Sequence, residues 1–393
     1  MALALARKGI LTTVVEKQEE ITPSRWAILL YPQGMKIFDG LGVLSEITML
    51  SLPLKPPQIE TVEGEVLANL DTGLLFEERL NYSLGVGPSE VRQVLMRHAV
   101  SMGVEVMEGV DYVDLVRGED GRVVGARLAR NGSKFTISCN ALVGADGYKS
   151  KVRSHFGSSV DSRDYSVIVG FFVEYQDHEM NRFRMILGDG YQVVIYPCSK
   201  SKLAVGYTEG GLSEEDLARK GGEDYVKEMI AKTLPSLADA ITSSKARYID
   251  GSMVQISPQE NWASPWVVDG GVLIGDAGHA FHPGAGQGAQ QAFVDSLTLA
   301  PIVEGCLKAN DFSKDRLIEF EMLRRPLIRF WQSNSKQLLA LETAKGRFNR
   351  WLRNRYFRAA NKLSGRKDIQ EMLAGLRVPT GRERLRLLLA ILI

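Results

Sequence analysis

The chain has 393 residues, of which 45% are hydrophobic, so it can bury a large core and form two or three domains. Its net charge is only +1 and no nucleic-acid-binding motif accompanies the basic residues, so we expect no nucleic-acid partner. The three cysteines are too widely spaced for a disulfide framework or a metal site, and no apolar run reaches the roughly 18 residues of a membrane span. We therefore expect a cytoplasmic protein without a metal centre.

The chain opens on a helix end followed by a strand. Residues 2–8 are typical of a helix that Gly9 terminates, and residues 11–15 indicate a strand. Glu16 stands at the tip of that strand, where a βαβ dinucleotide-binding unit places the acid that binds ribose hydroxyls. The first strand and the G-x-G-x-x-G loop of such a unit would precede Met1. We therefore expect a unit that is truncated at its N-terminus.

Helices and antiparallel strands are predicted next. Residues 32–50 favour a helix that ends at Gly40-Leu41-Gly42, and residues 59–78 alternate as antiparallel strands do. Residues 89–102 favour a helix capped by Ser89. Four β-rich segments separated by turns follow, at residues 165–175, 182–187, 191–197 and 203–207. They predict a mostly antiparallel sheet, after which residues 212–245 favour helix.

Residues 141–153 carry a compact motif, Ala-Leu-Val-Gly-Ala-Asp-Gly-Tyr-Lys-Ser-Lys-Val-Arg. Its apolar start indicates a strand, Asp146 and Gly147 indicate a turn, and the remainder indicates the start of a helix. Taken alone, the pattern fits an ordinary strand-ending turn as well as a ligand-binding loop.

A longer glycine-rich turn follows the buried strand predicted at residues 271–274. Residues 275–288 read Gly-Asp-Ala-Gly-His-Ala-Phe-His-Pro-Gly-Ala-Gly-Gln-Gly, and residues 289–300 favour a helix. Glycine lets the backbone approach a bulky ligand, and a helix N-terminus presents unpaired N–H groups to an electron-rich atom. Asp276, at the end of the strand, is placed to accept a hydrogen bond from a ligand hydroxyl. We therefore predict a ligand-binding turn.

These two motifs resemble those of a known enzyme family, the FAD-dependent aromatic hydroxylases of the para-hydroxybenzoate hydroxylase and ubiquinone-hydroxylase type (group A flavoprotein monooxygenases). Residues 275–295 resemble its second FAD-binding motif, G-D-A-A-H-x-x-x-P-x-x-G-Q-G-x-N-x-A-x-x-D, with Gln290 in place of the usual Asn. Residues 141–153 resemble its G-A-D-G-x-x-S-x-V-R element, in the order that the family requires. The resemblance covers nearly the whole chain.

The resemblance implies a set of FAD-binding residues. Asp276 would hold the ribityl chain, and Pro283 with the backbone of residues 284–288 would lie along the flavin ring. Arg25 corresponds to an arginine that the family commonly places against FAD. Pro88 stands where the family often has Arg or Gln, and Arg92, one turn further on, is the candidate replacement. The predicted cofactor-binding residues are Glu16, Arg25, Arg92, Asp146, Gly147, Gly275, Asp276, Pro283, Gly286, Gln287 and Gly288.

The implied fold is α/β, with a Rossmann-like FAD-binding domain, a mostly antiparallel β-sheet substrate domain and a helical C-terminal tail. In this interpretation the FAD-binding domain lacks its first strand and G-x-G-x-x-G loop. The expected FAD-binding segments are residues 1–58, 81–160 and 261–340. The expected substrate-domain segments are residues 59–80 and 161–260, and the tail is residues 341–393.

The implied activity is that of an FAD-dependent monooxygenase, either a hydroxylase or an epoxidase. NADPH or NADH would reduce FAD, and O2 would form a flavin C4a-hydroperoxide that transfers oxygen to an aromatic, polyketide or isoprenoid-type substrate. No dedicated catalytic residue is recognisable in the sequence. The candidate bases for a phenolic substrate are Tyr191, Tyr196, Tyr207 and His282.

Two other functions stay open from sequence. One is an FAD-dependent prenyl reductase of the geranylgeranyl reductase type, because residues 190–197 share features with its substrate strand. The other is a non-catalytic binding protein built on the FAD fold, suggested by the missing glycine loop and by Pro88. Bound flavin and turnover of NAD(P)H would separate these alternatives from the hydroxylase.

The C-terminal tail is the most basic part of the chain. Residues 341–393 contain 13 Lys and Arg against 4 Asp and Glu, with aromatic residues between them. Such a helix either covers the FAD domain with its apolar face or lies on the anionic inner surface of a membrane. Both interpretations stay open at this stage.

Overall fold

The computed structural model describes residues 1–71, 75–175, 180–373 and 376–383 of the chain. In chain order its strands are β1 (Thr13–Val15), β2 (Ile28–Leu30), β3 (Lys55–Thr61), β4 (Val66–Asn69), β5 (Leu84–Val86), β6 (Glu105–Met107), β7 (Asp111–Arg117), β8 (Val123–Arg130), β9 (Ser133–Ser138), β10 (Leu142–Gly144), β11 (Ser159–Asp164), β12 (Ile168–Tyr175), β13 (Arg182–Leu187), β14 (Tyr191–Pro197), β15 (Lys202–Glu209), β16 (Ala246–Tyr248), β17 (Val254–Ile256), β18 (Gln259–Ser264), β19 (Val267–Val268) and β20 (Gly271–Leu273). Its helices are α1 (Ala2–Ala6), α2 (Pro32–Gly40), α3 (Leu44–Met49), α4 (Pro88–Ser101), α5 (Lys151–His155), α6 (Glu214–Arg219), α7 (Glu223–Thr233), α8 (Pro235–Thr242), α9 (Asp276–His279), α10 (Gly288–Ala309), α11 (Lys314–Glu342), α12 (Arg347–Leu363) and α13 (Lys367–Leu373).

The N-terminal segment forms the expected helix and strand. β1 pairs in parallel with β6, and Val14 lies opposite Val106. Gly9, between α1 and β1, has a φ of +70°, a left-handed conformation that glycine adopts without steric cost. Glu16 therefore follows a parallel strand, as the sequence predicts.

The strands of the two motifs lie side by side. β10 and β20 pair in parallel, with Leu142 opposite Gly271, and the N–H of Ile274 donates to the carbonyl of Gly144 at 3.0 Å. Ligands of open α/β sheets bind beyond the carboxyl ends of the strands. Because the two strands are parallel neighbours, both turns open at the same edge of the sheet.

The largest sheet is mostly antiparallel, as expected. Its strand order is β16-β12-β15-β14-β13-β3-β4, with β17 also paired to β12. Among its described strands, only β13 and β3 pair in parallel. Strands β3 and β4 come from an early segment of the chain, so this segment and the later β-rich region build one sheet. The expected α/β fold class, with a helical C-terminal region, is confirmed.

Strand alternation gives the largest sheet two different faces. On β14, Val193 and Ile195 are completely buried in a core that includes side chains of α6, α7 and α8. Gln192, Val194 and Tyr196 alternate with them and line a cavity. Because successive side chains of a strand point to opposite faces, one face makes a core and the other makes a cavity wall.

The helix predicted from residue 32 ends where the sequence indicates: α2 ends at Gly40, and α3 begins at Leu44 after Gly42, whose φ is +74°. One local prediction needs correction. Ser89 is not a helix cap: α4 begins one residue earlier, at Pro88, whose fixed φ suits the first helical position. The Ser89 hydroxyl instead accepts a hydrogen bond from the Ser24 N–H at 2.9 Å.

The helical segment predicted at residues 212–245 is three helices. A Gly221–Gly222 pair with positive φ at both residues separates α6 from α7. Pro235 occupies the first position of α8 and has no N–H to continue α7. These three helices cover the buried face of the largest sheet.

Helices α11, α12 and α13 form the C-terminal region. Phe357 of α12 is 3% exposed and packs in one cluster with Ile59 and Leu67 of β3 and β4. The inner side of α12 thus covers the edge of the largest sheet. Residues 384–393, the end of the predicted basic tail, lie outside the described residues.

Candidate ligand site

A cavity of about 1380 Å³ lies between the glycine-rich turn and the cavity-facing side of the largest sheet. Small-molecule pockets usually enclose roughly 300–1,000 Å³. The cavity is therefore large enough for part of a cofactor and a substrate together. Its two walls differ in chemistry: one is rich in glycine and the other is mainly apolar.

The glycine-rich wall begins where β20 ends. Gly275 turns the chain with a φ of +56°, and Gly286 turns it again with a φ of +62° just before α10. A Cβ atom placed on Gly286 would lie 2.5 Å from the hydroxyl oxygen of Tyr31, so a side chain there would displace that ring. Glycine at this position allows the turn to pack directly against Tyr31.

The N-terminus of α10 faces the cavity. Gly288 and Ala289, its first residues, are part of the cavity wall, and a Cβ atom placed on Gly288 would meet no atom within 4 Å. The first N–H groups of a helix have no partner within the helix, and they carry a partial positive charge. This end of α10 is thus suited to an electron-rich ring atom or carbonyl oxygen of a ligand.

Asp276 supplies an acceptor to the same wall. Its side chain is exposed to the cavity although protein surrounds it on the other sides, and burial raises the pKa of its carboxyl. The charge of His279 opposes that shift, and the charge of Asp295 adds to it. Within the described part of the chain, no hydrogen-bond donor reaches the Asp276 carboxylate. A ligand hydroxyl would satisfy it.

A buried charge network holds the glycine-rich turn from behind. The Asp295 carboxylate is completely buried and accepts hydrogen bonds from the Gly275 N–H at 2.8 Å, the His279 ring at 2.7 Å and the Arg324 guanidinium at 2.7 Å. Burial by itself would raise the pKa of Asp295, but His279 and Arg324 outweigh it and hold that pKa below its usual value. Arg324 also donates to the side chain of Gln291 at 2.6 Å.

Arg153 connects the two motifs. It is buried, and its guanidinium donates to the carbonyl of Ala277 at 2.9 Å and to that of Tyr148 at 2.6 Å. The first carbonyl belongs to the glycine-rich turn and the second to the motif of residues 141–153. One side chain therefore fixes the spacing of the two turns.

Most of the predicted cofactor-binding residues meet at the cavity. Those in its wall are Arg25, Gly147, Gly275, Asp276, Pro283, Gly286, Gln287 and Gly288. Glu16, Arg92 and Asp146 are not part of that wall. Which of these residues contact a cofactor stays a prediction.

The residues outside the cavity wall have protein partners. Glu16 pairs with Arg92 at 2.7 Å. Asp146 accepts hydrogen bonds from the N–H groups of Lys151 at 2.8 Å and Val152 at 3.1 Å, so its carboxylate caps α5. The Arg25 guanidinium, at the cavity, donates to the carbonyls of Gly251 and Met253 in the β16–β17 connection.

The opposite wall is mainly apolar. It is formed by the open face of the largest sheet together with side chains of α11 and α12. Its large apolar and aromatic members include Phe172, Phe183, Met185, Val194, Leu338 and Tyr356. This wall suits a bulky substrate with little polar surface.

The sequence-based candidate bases separate into two groups. Tyr196 and His282 line the cavity, whereas Tyr191 and Tyr207 do not. The Tyr196 hydroxyl donates to the carbonyl of Ala27 at 2.9 Å, and burial raises its pKa. Burial lowers the pKa of His282 to about 4, so its ring is neutral at physiological pH.

Glu342 is a polar residue of the cavity that the sequence analysis missed. It is the last residue of α11, it is 2% exposed, and it lines the cavity together with Gln192. The Gln192 side-chain amide donates to Glu342 Oε2 at 2.9 Å, and burial raises the pKa of Glu342 to about 8. No motif surrounds Glu342 in the sequence, so no local signal identifies it.

The described residues contain neither a membrane-spanning helix nor a metal-binding cluster. No described helix is both long and apolar enough to cross a membrane. Among the described residues, no group of three or more His, Cys, Asp or Glu side chains is arranged to hold a metal ion.

Known proteins share both the sequence pattern and the fold. A family model described as FAD binding domain matches residues 1–320. The chain is 25% identical over 328 residues to 6-methylpretetramide 4-monooxygenase of Streptomyces rimosus, covering 83% of this chain and 77% of that protein. It is 24% identical over 333 residues to digeranylgeranylglycerophospholipid reductase of Methanocella arvoryzae, covering 81% and 78%. The crystal structure of p-nitrophenol 4-monooxygenase from Pseudomonas putida has the same fold, with a TM-score of 0.82 at 22% identity over 96% of this chain and 95% of that one.

Proposed function

The chain belongs to the FAD-binding domain family, and on that premise we propose that it is an FAD-dependent monooxygenase. It uses NADPH or NADH together with O2 to hydroxylate or epoxidise an aromatic, polyketide or isoprenoid-type substrate. The observation that carries this proposal is a single cavity with a glycine-rich turn on one wall and a broad apolar surface on the other. One wall suits the cofactor and the other suits the substrate.

The residues of the glycine-rich wall fit FAD. Asp276 has an unpaired carboxylate for a ribityl hydroxyl, and Gly288 and Ala289, whose N–H groups are the first of α10, belong to the cavity wall and suit the flavin carbonyl side. Pro283 and Gly286 provide a close-fitting backbone surface along the ring. Bound FAD would supply the redox chemistry, by accepting hydride from NAD(P)H and reacting with O2.

The protein provides the environment for that chemistry. The apolar sheet face excludes water from the reacting centre, which protects oxygen transfer from competing side reactions. His282 stays neutral because burial lowers its pKa to about 4, so it adds no positive charge beside the turn. The hydrogen bonds of Asp295 with Gly275 and Arg324 hold the turn in place. This keeps the cofactor in a fixed position relative to the substrate.

Oxygen consumption tests the proposal. The protein is loaded with FAD and supplied with NADPH or NADH and a panel of hydroxylated aromatic compounds, and nucleotide oxidation and O2 uptake are recorded together. We expect O2-dependent nucleotide oxidation that a substrate stimulates, with hydrogen peroxide released when transfer is uncoupled. A fully loaded protein that oxidises no nucleotide with any compound would instead be a binding protein.

A reductase is the second candidate function, because one relative of similar coverage is named as a prenyl-lipid reductase. That activity needs no O2. Anaerobic oxidation of NAD(P)H with saturation of an isoprenoid double bond would establish it. Loss of all product formation without O2 would favour the monooxygenase.

We further propose that the outer face of α12 contacts an anionic membrane surface from the cytoplasmic side. Phe348, Trp351 and Leu352 are 70%, 51% and 38% exposed, and basic residues alternate with them along the helix. Exposed aromatic side chains beside Lys and Arg are typical of helices that lie in a membrane interface. The inner face of the same helix covers the sheet, so one helix serves both purposes.

Liposome sedimentation tests this surface. We expect the protein to sediment with vesicles that contain phosphatidylserine and to remain free with phosphatidylcholine vesicles. The double variant Phe348→Ala and Trp351→Ala should lose most of this binding. Met322→Ala with Leu323→Ala, on the exposed face of α11, is the matched control and should retain it. Equal binding by both double variants would contradict the proposal.

A further inference from the structure

Glu342 stands where the two walls of the cavity meet. A Cβ atom placed on Gly284 would lie 3.4 Å from Glu342 Oε2 and 3.1 Å from His282 Nδ1, so the carboxylate and the imidazole flank the same glycine. The same oxygen, Glu342 Oε2, accepts the hydrogen bond from Gln192, a residue of the sheet wall. The carboxylate therefore lies beside the cofactor-type turn and at the edge of the apolar wall.

The surroundings of Glu342 contain no positive charge within the described part of the chain. No Lys, Arg or His side chain forms an ion pair with it there. The titratable groups that face it are Tyr31, Tyr356 and His282. Burial, and then the negative charge of Glu342, raise the pKa of both tyrosines. A neutral histidine and two protonated phenols leave the carboxylate uncompensated.

Among the described residues, the other carboxylates that are fully enclosed by protein are paired. Asp295 has Arg324 and His279, Glu60 has Arg184, and Glu321 has Arg325. A buried charge with only a structural role is normally paired in this way, because an uncompensated buried charge destabilises the folded state. An unpaired carboxylate in a cavity, with its pKa shifted by burial, instead marks a functional group.

We propose that Glu342 is the acid–base residue of the site and that the substrate is a phenol or an enol carried on a large apolar ring system. This inference rests on the proposed monooxygenase function. The O–H bond of the substrate breaks, its electron pair stays on the substrate oxygen, and the proton passes to the Glu342 carboxylate. The ring of the deprotonated substrate is richer in electrons, so it reacts more readily with electrophilic oxygen than the protonated substrate does. The proton returns to the oxygen of the hydroxylated product, which regenerates the carboxylate.

The choice of phenol or enol follows from the chemistry of the wall. An ether or a simple hydrocarbon has no proton for Glu342 to take, and it would leave the carboxylate desolvated without a partner. A phenolic O–H satisfies the free lone pairs of the carboxylate, and the hydrogen bond from Gln192 holds Oε2 in place. The apolar side chains around Leu338 and Tyr356 contact the ring body.

The test compares Glu342→Gln with the FAD-loaded natural chain. Gln is isosteric and still accepts the hydrogen bond from Gln192, so we expect unchanged FAD occupancy and a folded protein. With a panel of phenols, kcat should fall about 100- to 1,000-fold with little change in KM, as for loss of a general base. The rise of kcat/KM with pH should disappear, and Glu342→Asp should restore part of the rate. Glu209→Gln, a carboxylate outside the cavity wall, should keep the natural profile.

A second measurement does not depend on turnover. Infrared spectra of the FAD-loaded natural chain should contain a protonated-carboxyl band that vanishes as the pH rises through about 8. Glu342→Gln should lack this band, and Glu209→Gln should retain it. A natural chain without the band overturns the inference.

The two hypotheses fail in different ways. If Glu342→Gln hydroxylates phenols with the natural pH profile, or if O-methyl ethers react as fast as the parent phenols, the acid–base role is wrong and the monooxygenase function stands. If no compound stimulates O2 uptake in fully loaded protein, the monooxygenase function itself fails, and the acid–base role falls with it.

Discussion

Two buried carboxylates contact the glycine-rich turn at different points, and the protein treats them in opposite ways. Asp295, behind the turn at Gly275, has an arginine and a histidine as partners, which hold its pKa low. Glu342, in front of the turn at Gly284, has only an amide, and burial raises its pKa to about 8. The comparison indicates that the paired carboxylate of Asp295 stabilises the shape of the site. The unpaired carboxylate of Glu342 is available for acid–base chemistry.

Removing the partner of Asp295 should have the largest effect. Arg324→Ala leaves a completely buried carboxylate with His279 as its remaining side-chain partner, and breaking a buried pair usually costs about 3–5 kcal/mol. Urea denaturation should show this loss, together with weaker FAD binding. The control variant Arg316→Ala removes an exposed ion pair between the same helix and Asp311. It should lower the free energy of unfolding by less than about 1 kcal/mol. Equal losses in the two variants would show that the Asp295 network does not stabilise the turn.

Removing the charge of Glu342 should instead stabilise the protein. Folding raises the pKa of Glu342 from 4.5 to about 8, so the folded state holds a proton that the unfolded state has lost between these pH values. The natural chain therefore loses stability from this group as pH rises from 4.5 to 8. Glu342→Gln should gain roughly 3 kcal/mol at pH 7 and nothing near pH 4, measured by denaturation across pH.

Glu209→Gln is a control variant whose effect on stability should have the opposite sign to that of Glu342→Gln. Burial opposes its ionisation, but hydrogen bonds from Lys220, Tyr225 and Tyr207 outweigh burial and lower the pKa of Glu209. Its contribution is present above the ordinary pKa of 4.5 and is lost as pH falls. Glu209→Gln should thus destabilise the protein at neutral pH. Parallel pH profiles for the two Gln variants would contradict the distinction between paired and unpaired carboxylates.

Asp276 lies between these extremes, because its partner is expected to be the cofactor. Asp276→Ala removes a charge-assisted hydrogen bond to FAD, which contributes roughly 1.5–3 kcal/mol, or about 10- to 150-fold in affinity. The stability of the unloaded protein should change little. Flavin fluorescence titration measures the affinity, and Asp161→Ala on β11 is an exposed control. Full FAD affinity in Asp276→Ala would exclude Asp276 from the cofactor site.

Substitutions of Gly286 and Gly288 should have the smallest effects. They distinguish residues that set the shape of the turn from residues that contact the ligand. Gly286→Ala forces a side chain into a left-handed conformation against Tyr31, and this should lower stability by about 1–2 kcal/mol. Gly288→Ala places its methyl group in open space at the start of α10, so stability should be unchanged while FAD binding weakens. Thermal unfolding and flavin titration of both variants check this division. The reverse pattern would mean that α10 does not face the cofactor.

Local patterns in the sequence predicted much of the fold and half of the site. The glycine turn, the strand before it and the helix after it follow from backbone sterics and hydrophobic period, which act between near neighbours. The antiparallel sheet was predicted from alternation for the same reason. A competing local preference explains the failure at Ser89, because Pro88 starts the helix one residue earlier. The boundaries of the expected domains stay predictions.

The sequence by itself determined the family, the FAD-type turn and the alternating strands, since each depends on residues close together in the chain. Only the tertiary structure decided which distant side chains share one environment. It pairs Glu16 with Arg92, ties the two motifs together through Arg153, and brings Glu342 beside Gln192, 150 residues earlier in the chain. The physical reason is that burial and the absence of a counter-charge are properties of the packed interior, and neighbours in sequence do not report them.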